Sequence, residues 1–275
     1  MLVSYIKALM RRFKGVDLAA RLEMLSEGIR GTHSTYFLAR DRESAEIVGL
    51  KLIDGDAASK YELRYGRLCG ETAYSIDHPR VLSSFEHGIA RSGEQYIISE
   101  HLDGDCLRSL ITRREETLHQ NRILLVRQMA EAVAAVHNAG FVHFEVCPKN
   151  FICNPEASSL KLIDVAMAVP MRDDLMQHGR VGPRHYLATE AIRHKKVDQT
   201  LDIFAWGVCA YEVCALTLPW PAGGMHDTTV PTPILEHVPD LDNTLAQAIM
   251  KCIAVQPKDR IQSAEQLVRA LRRAT

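Results

Sequence analysis

The sequence has no excess of charge of either sign: 33 Lys and Arg against 34 Asp and Glu leave a net charge of −1. A chain so balanced has no bulk electrostatic attraction to nucleic acid. It also lacks a long unbroken apolar run. The longest, residues 203–219, is interrupted by Glu212 and closed by Pro219, which reads as a helix buried on all sides rather than a bilayer span. A secretory signal is missing, because Lys7 breaks the only apolar start before a core of sufficient length develops. The seven cysteines, at 69, 106, 147, 153, 209, 214 and 252, are odd in number and lack paired ligand spacing. Cys209 and Cys214 lie in an apolar run, as buried thiols do, and the whole set implies a reducing compartment; the lack of targeting segments makes a cytoplasmic location the expectation. Internal repeats and low-complexity tracts are absent as well.

What is present is a soluble composition, 47% apolar and 24% charged over 275 residues, enough for one domain of two lobes or two small domains. Residues 2–13 place Leu2, Ile6, Leu9 and Phe13 on one helical face, with Lys7, Arg11, Arg12 and Lys14 elsewhere. This is either a leader helix packed on the body of the protein or a basic helix that touches a membrane surface through residues 2–14. Residues 31–40 then read as a turn into a strand, 46–53 as a buried strand and 57–76 as a helix. Residues 81–90 and 94–102 form a strand pair joined by Arg91-Ser92-Gly93. Helices come next at 106–115 and 120–139, the second stopped by Asn138-Ala139-Gly140.

The chemistry concentrates in FVHFEVCPKNFIC (141–153) and LKLIDVAMA (160–168), which carry Glu145, Lys149, Asn150 and Asp164 within twenty residues. After Pro148 the pattern is strand, turn at Asn154-Pro155, and a second strand ending at Asp164. Such a hairpin brings the amide of Asn150 to the carboxylate of Asp164, a pair of hard oxygen ligands suited to Mg²⁺ held against a phosphate chain.

The first of these segments resembles the catalytic loop H-R-D-L-x-x-x-N of the protein kinase family, and Asp164-Val165-Ala166 resembles its D-F-G. Val48-Gly49-Leu50-Lys51 resembles V-A-I-K, and GPRHYLATE ending at Glu190 resembles G-T-P-x-Y-x-A-P-E. Arg260 matches the arginine that pairs with that glutamate, and Asp202 opens the central buried helix. The landmarks span roughly residues 25–273. The resemblance implies an α+β, bilobal fold: a small antiparallel β-rich lobe with one main helix, and a larger, mainly helical lobe. It divides the chain into an N-terminal extension at 1–24, a first lobe at 25–102 and a second at 103–275.

The same resemblance implies ATP and Mg²⁺ as cofactors, with Asn150 and Asp164 as metal ligands. Lys51, Glu145 and Lys149 take the catalytic positions. Nucleotide contacts fall at Gly31, Gly49, Lys51, Glu71, Glu100, Leu102 and Ile152. Glu71 is chosen as the helix partner of Lys51 because Glu62 lies too near in sequence, although counting back from His78-Pro79 lands on Cys69. Ser99 stands at the gatekeeper position. Of the three glycines in the family's phosphate loop only Gly31 remains, and Tyr36 stands where a valine covers the adenine.

Four departures bear on activity. Glu145 replaces the catalytic aspartate, moving the carboxylate by about an ångström, a misplacement that costs on the order of 10²-fold at a reacting centre. Cys147 replaces the lysine two residues on, a role that Lys149 can take from the offset where tyrosine kinases carry arginine. Phe144 replaces the arginine that answers a phosphate on the activation segment, and residues 166–186 contain no Ser or Thr to carry one. Ala166 replaces the glycine of D-F-G. The expectation is a pseudokinase or very weak kinase that binds ATP–Mg²⁺ and acts through a protein partner. The alternatives are an active Ser/Thr or Tyr kinase with Glu145 as base, and a kinase-fold enzyme acting on a small molecule.

Overall fold

The structure is a computed structural model, and it describes residues 15–171, 183–193, 196–220 and 229–272. The amphipathic helix expected at 2–13 lies outside the described residues, as do residues 172–182 of the activation segment. The chain divides into two compact units. The smaller comprises the described part of Met1–Asp77 with Leu82–Leu102 and Val165–Met167; the larger comprises His78–Val81, Asp103–Asp164 and the described residues from Ala168 on.

The smaller unit opens with a short helix, α1 (Leu18–Arg21). Six strands form its sheet: β1 (Leu22–Met24), β2 (Ile29–Arg30), β3 (Ser34–Asp41), β4 (Ile47–Ile53), β5 (Ser84–Ile89) and β6 (Gln95–Glu100). Their order is β1-β3-β4-β6-β5, with β2 beside β3, and every pairing is antiparallel. Between β4 and β5 lie α2 (Gly55–Tyr65) and α3 (Cys69–Tyr74). Strand alternation sends Val48 and Leu50 to one face of the sheet and Gly49 and Lys51 to the other. The first face packs with Ala39, Tyr96 and Ile98 under Leu18 and Leu22.

That cover comes from the segment just before residue 25. Residues 16–24 pack on the sheet rather than forming an appendage: Val16 bridges Ala90, β1 pairs with β3, and Leu22 is 2% exposed. An apolar sheet face needs a lid, and the segment before β2 supplies it. The expected helix at 57–76 is two helices. Gly66 ends α2 in the left-handed region at φ 68°, its N–H bonding to Glu62 O, the conformation that glycine caps take without a Cβ penalty.

The larger unit begins with β7 (Asp105–Cys106), α4 (Leu107–Arg113) and α5 (Glu116–Asn138), followed by β8 (Phe141–Val142), β9 (Phe151–Cys153), β10 (Leu160–Leu162) and β11 (Val169–Pro170). The helices α6 (Thr189–Ile192), α7 (Thr200–Ala215), α8 (Ile234–His237), α9 (Asn243–Cys252) and α10 (Ala264–Leu271) complete it. Strands β10, β9 and β7 form one small antiparallel sheet, and β11 pairs with β8. Helix α7 is buried on every side from Thr200 to Cys214, which accounts for its largely apolar character. Trp206 on it donates to Val126 O of α5. Among the described residues no helix is long and apolar enough to cross a membrane.

A buried Arg260–Glu190 pair ties α6 to the segment before α10, with two contacts of 2.6 and 2.8 Å. Three backbone carbonyls, of Ala254, Thr200 and Val255, take the remaining guanidinium donors, so the charge is fully answered where it is desolvated. All seven cysteines are free thiols.

Candidate active site

The loop from His143 to Asn150 is built around a carboxylate far away in sequence. Asp202, fully buried in the first turn of α7, accepts from the backbone N–H of His143 at 2.7 Å and of Phe144 at 2.9 Å, and bonds His137 Nε2 at 2.9 Å. Those bonds hold Phe144 in the left-handed region at φ 67°, a conformation that costs a non-glycine residue about 1 kcal/mol or more. His143 carries the restraint forward. Its Nδ1 accepts from Glu145 N (3.2 Å), which makes Nε2 the protonated nitrogen, and Nε2 donates to Ile163 O (3.1 Å). Asn150 closes the loop: its Nδ2 donates to Glu145 O at 2.8 Å and its backbone N–H to Cys147 O at 2.9 Å.

Strands β9 and β10 pair with Leu162 opposite Phe151, and Ile163 N donates to Asn150 O at 2.8 Å. Asn150 and Asp164 therefore stand at adjacent ends of one hairpin. Asn150 Nδ2 is committed to the Glu145 carbonyl, so the Oδ1 end of the amide is the one that could meet a cation. Asp164 has φ 65°. Among the described residues no three His, Cys, Asp or Glu side chains converge as a metal cage. An amide and a carboxylate are hard oxygen donors of the kind Mg²⁺ takes beside water and phosphate oxygens. Ile152 lies in β9 opposite Lys161.

Glu145 is half-buried, while Lys149 is exposed. Burial pushes the Cys147 thiol up to about 11, so the position carries no charge at neutral pH. Lys149, Cys147, Pro183, Tyr186, Arg108 and Glu212 line a cavity of about 250 Å³. Arg108 forks onto both oxygens of Glu212, at 2.6 and 2.9 Å, and both residues bond the Tyr186 hydroxyl. Burial, with Cys209 and Glu212 beside it, drives the Tyr186 phenol far above its ordinary range.

In the smaller unit, Lys51 lies in β4 opposite Tyr36 on one side and Ile97 on the other. Glu71 is on α3 with its side chain 43% exposed, 3.9 Å from Arg67. Cys69 occupies the buried face of that helix, 0% exposed, with its thiol 3.4 Å from Met167 Sδ. Burial raises this thiol to about 12, and the neighbouring charges of Lys51 and Glu62 act on it in opposite directions. The structure thus places Cys69 on the buried side of α3 and Glu71 on a partly exposed side.

Gly31 turns a tight hairpin between β2 and β3, its N–H on Ser34 O at 2.8 Å. Arg30 pins that hairpin with a two-pronged bond to Asp54 (2.8 and 2.9 Å), and Asp54 N donates to His33 O. Glu100 accepts from Ser83 N at 2.7 Å through its side chain, and Leu102 ends the Leu82–Leu102 segment of the smaller unit.

Sequence reasoning missed the anchoring role of Asp202. Its one signal was an isolated carboxylate at the head of an apolar helix. It also missed the packing of Tyr36 against Gly49, visible only once β3 and β4 are in register.

The protein kinase domain family matches residues 28–270. The chain is 27% identical over 266 residues to serine/threonine-protein kinase 1 of Arabidopsis thaliana, covering 91% of this chain and 30% of that protein. It is 24% identical over 262 residues to the serine/threonine-protein kinase PrkC of Bacillus subtilis, covering 92% and 40%. The chain thus spans less than half the length of these relatives. The Mycobacterium tuberculosis PknI kinase domain shares its fold at a TM-score of 0.68 and 20% identity, over 92% of this chain and 96% of that one. With a bilobal α+β architecture, the loop anchored on Asp202 and a match over residues 28–270, this chain belongs to the protein kinase domain family.

Proposed function

We propose that the chain binds ATP–Mg²⁺ and acts on or through a protein partner as a pseudokinase or very weak kinase. Asn150 Oδ1 and the Asp164 carboxylate would hold Mg²⁺, and Lys51 would pair with the phosphates. The metal's contribution when bound is to neutralise charge on the transferred phosphoryl group. The chain's own contribution is positioning, through the hydrogen bonds that run from Asp202 to His143, Glu145 and Asn150.

The observation that carries the weak-or-inactive reading is the site at Cys147. Where the family places a cation two residues after the acid, a buried thiol pushed up to about 11 supplies none. Glu145 compounds this with a carboxylate one methylene longer on a fixed backbone. The relatives' names favour Ser or Thr hydroxyls as the acceptor class over Tyr. One observation favours residual phosphotransfer: exposed Lys149 lies at the rim of the Arg108–Glu212–Tyr186 cavity, where an acceptor side chain would approach.

The test is thermal unfolding with ATP, with and without Mg²⁺. Binding to the native state alone stabilises it by about 2.7 kcal/mol at a hundredfold excess over Kd. A Mg²⁺-dependent rise lost in both Lys51→Met and Asp164→Asn supports the site. No rise at millimolar ATP removes the nucleotide reading.

A further inference from the structure

The sheet face that carries Lys51 also carries a ring laid along it. Tyr36 stands opposite Lys51, and Leu38 opposite Gly49, yet the Tyr36 ring leans to the Gly49 level. A Cβ built on Gly49 would meet Tyr36 Cε2 at 2.7 Å, its Oη at 2.9 Å and Ser99 Oγ at 2.9 Å. The ring therefore lies directly on the Gly49 backbone, which only glycine leaves open. Beyond it, the Tyr36 hydroxyl hydrogen-bonds His101 Nδ1 at 3.3 Å. One side chain thus bridges from β3 across β4 to the chain just after β6, all within the smaller unit. The ring is half-buried, and burial raises its phenol pKa.

We propose that Tyr36 is a built-in occupant of the nucleobase position, held on Gly49 and by His101, and that it must rotate out before a purine can stack there. The proposal rests on the nucleotide-binding reading above. Two departures from the family pattern then explain each other: the enlarged residue at 36 and the emptied side chain at 49. The pinned hairpin works with them, because Arg30 and Asp54 fix the turn that leads into β3, the strand from which Tyr36 projects. The nucleotide site is self-occupied in the resting protein, and an added purine competes with the chain's own ring.

The experiment is a titration of wild type, Tyr36→Val, Tyr36→Phe and Gly49→Ala with a fluorescent N-methylanthraniloyl ATP. A site open only a tenth of the time binds about tenfold more weakly than its intrinsic affinity, so Tyr36→Val is expected to tighten binding about tenfold. Tyr36→Phe keeps the ring, loses the His101 bond and should fall between. Wild-type binding with Tyr36→Val within twofold of it, or weaker, overturns the proposal and leaves the nucleotide reading standing. Absence of binding in every variant overturns both. A second readout needs no nucleotide: the phenol titration of isotopically labelled Tyr36, assigned by its loss in Tyr36→Phe. Gly49→Ala should expel the ring and return that titration to the ordinary range near 10; an unchanged titration overturns the proposal.

Discussion

The two units hold their candidate residues by different means. In the larger unit the restraints act on backbone atoms: Asp202 holds the N–H groups of His143 and Phe144 whatever side chains those residues carry. Exchanges at 144, 145 and 147 therefore alter the chemistry while leaving the loop in place. In the smaller unit the geometry depends on side-chain size. With Tyr36 on β3 and glycine at 49, the surface itself changes shape. A frame held through the backbone survives substitution, and a frame held by the smallness of side chains does not.

Asp202→Ala should break this contrast most forcefully. It strands two buried N–H groups and His137, each worth about 1–3 kcal/mol, so chemical denaturation should show a loss of about 4 kcal/mol. Leu22→Ala attacks the smaller unit's cover. A buried leucine truncation costs about 2–5 kcal/mol, and hydrogen exchange should show the loss in β3 and β4 before the larger unit opens.

The thiol of Cys147 gives a gentler, pH-dependent effect. Burial lifts its folded pKa to about 11 from an ordinary 9. The native state then binds the proton more tightly, so this stabilisation is complete below pH 9 and lost as pH rises to 11. The slope approaches about 1.4 kcal/mol per pH unit, and denaturation of Cys147→Ala across that window should lack this share of it. Arg30→Ala gives the smallest change. The pair with Asp54 is exposed, and such pairs contribute less than about 1 kcal/mol; the melting temperature should scarcely move, while exchange at the 30–35 hairpin quickens.

The larger unit's candidate residues were legible because they are contiguous in sequence and their hairpin is dictated by alternation and an Asn-Pro turn. Long-range anchoring was not. Nothing local to Asp202 announces that it serves residues 58 and 59 positions earlier. In the smaller unit the strands were legible from their alternation, but the helix break was missed although Gly66 marks it. On the second helix Cys69, rather than Glu71, lies on the buried face. The lid at 16–24 was missed because Leu18 and Leu22 show a helical spacing until the sheet face they cover is known.

The most direct test restores the chemistry inside the retained frame. Phosphotransfer from ATP to a Ser/Thr substrate protein should be measured for wild type and for Glu145→Asp combined with Cys147→Lys. Realigning the carboxylate and supplying the missing cation should raise turnover by on the order of 10²-fold or more, with Asp164→Asn abolishing the gain. A wild type already turning over at about 1–100 s⁻¹, with the double variant no faster, would contradict the account.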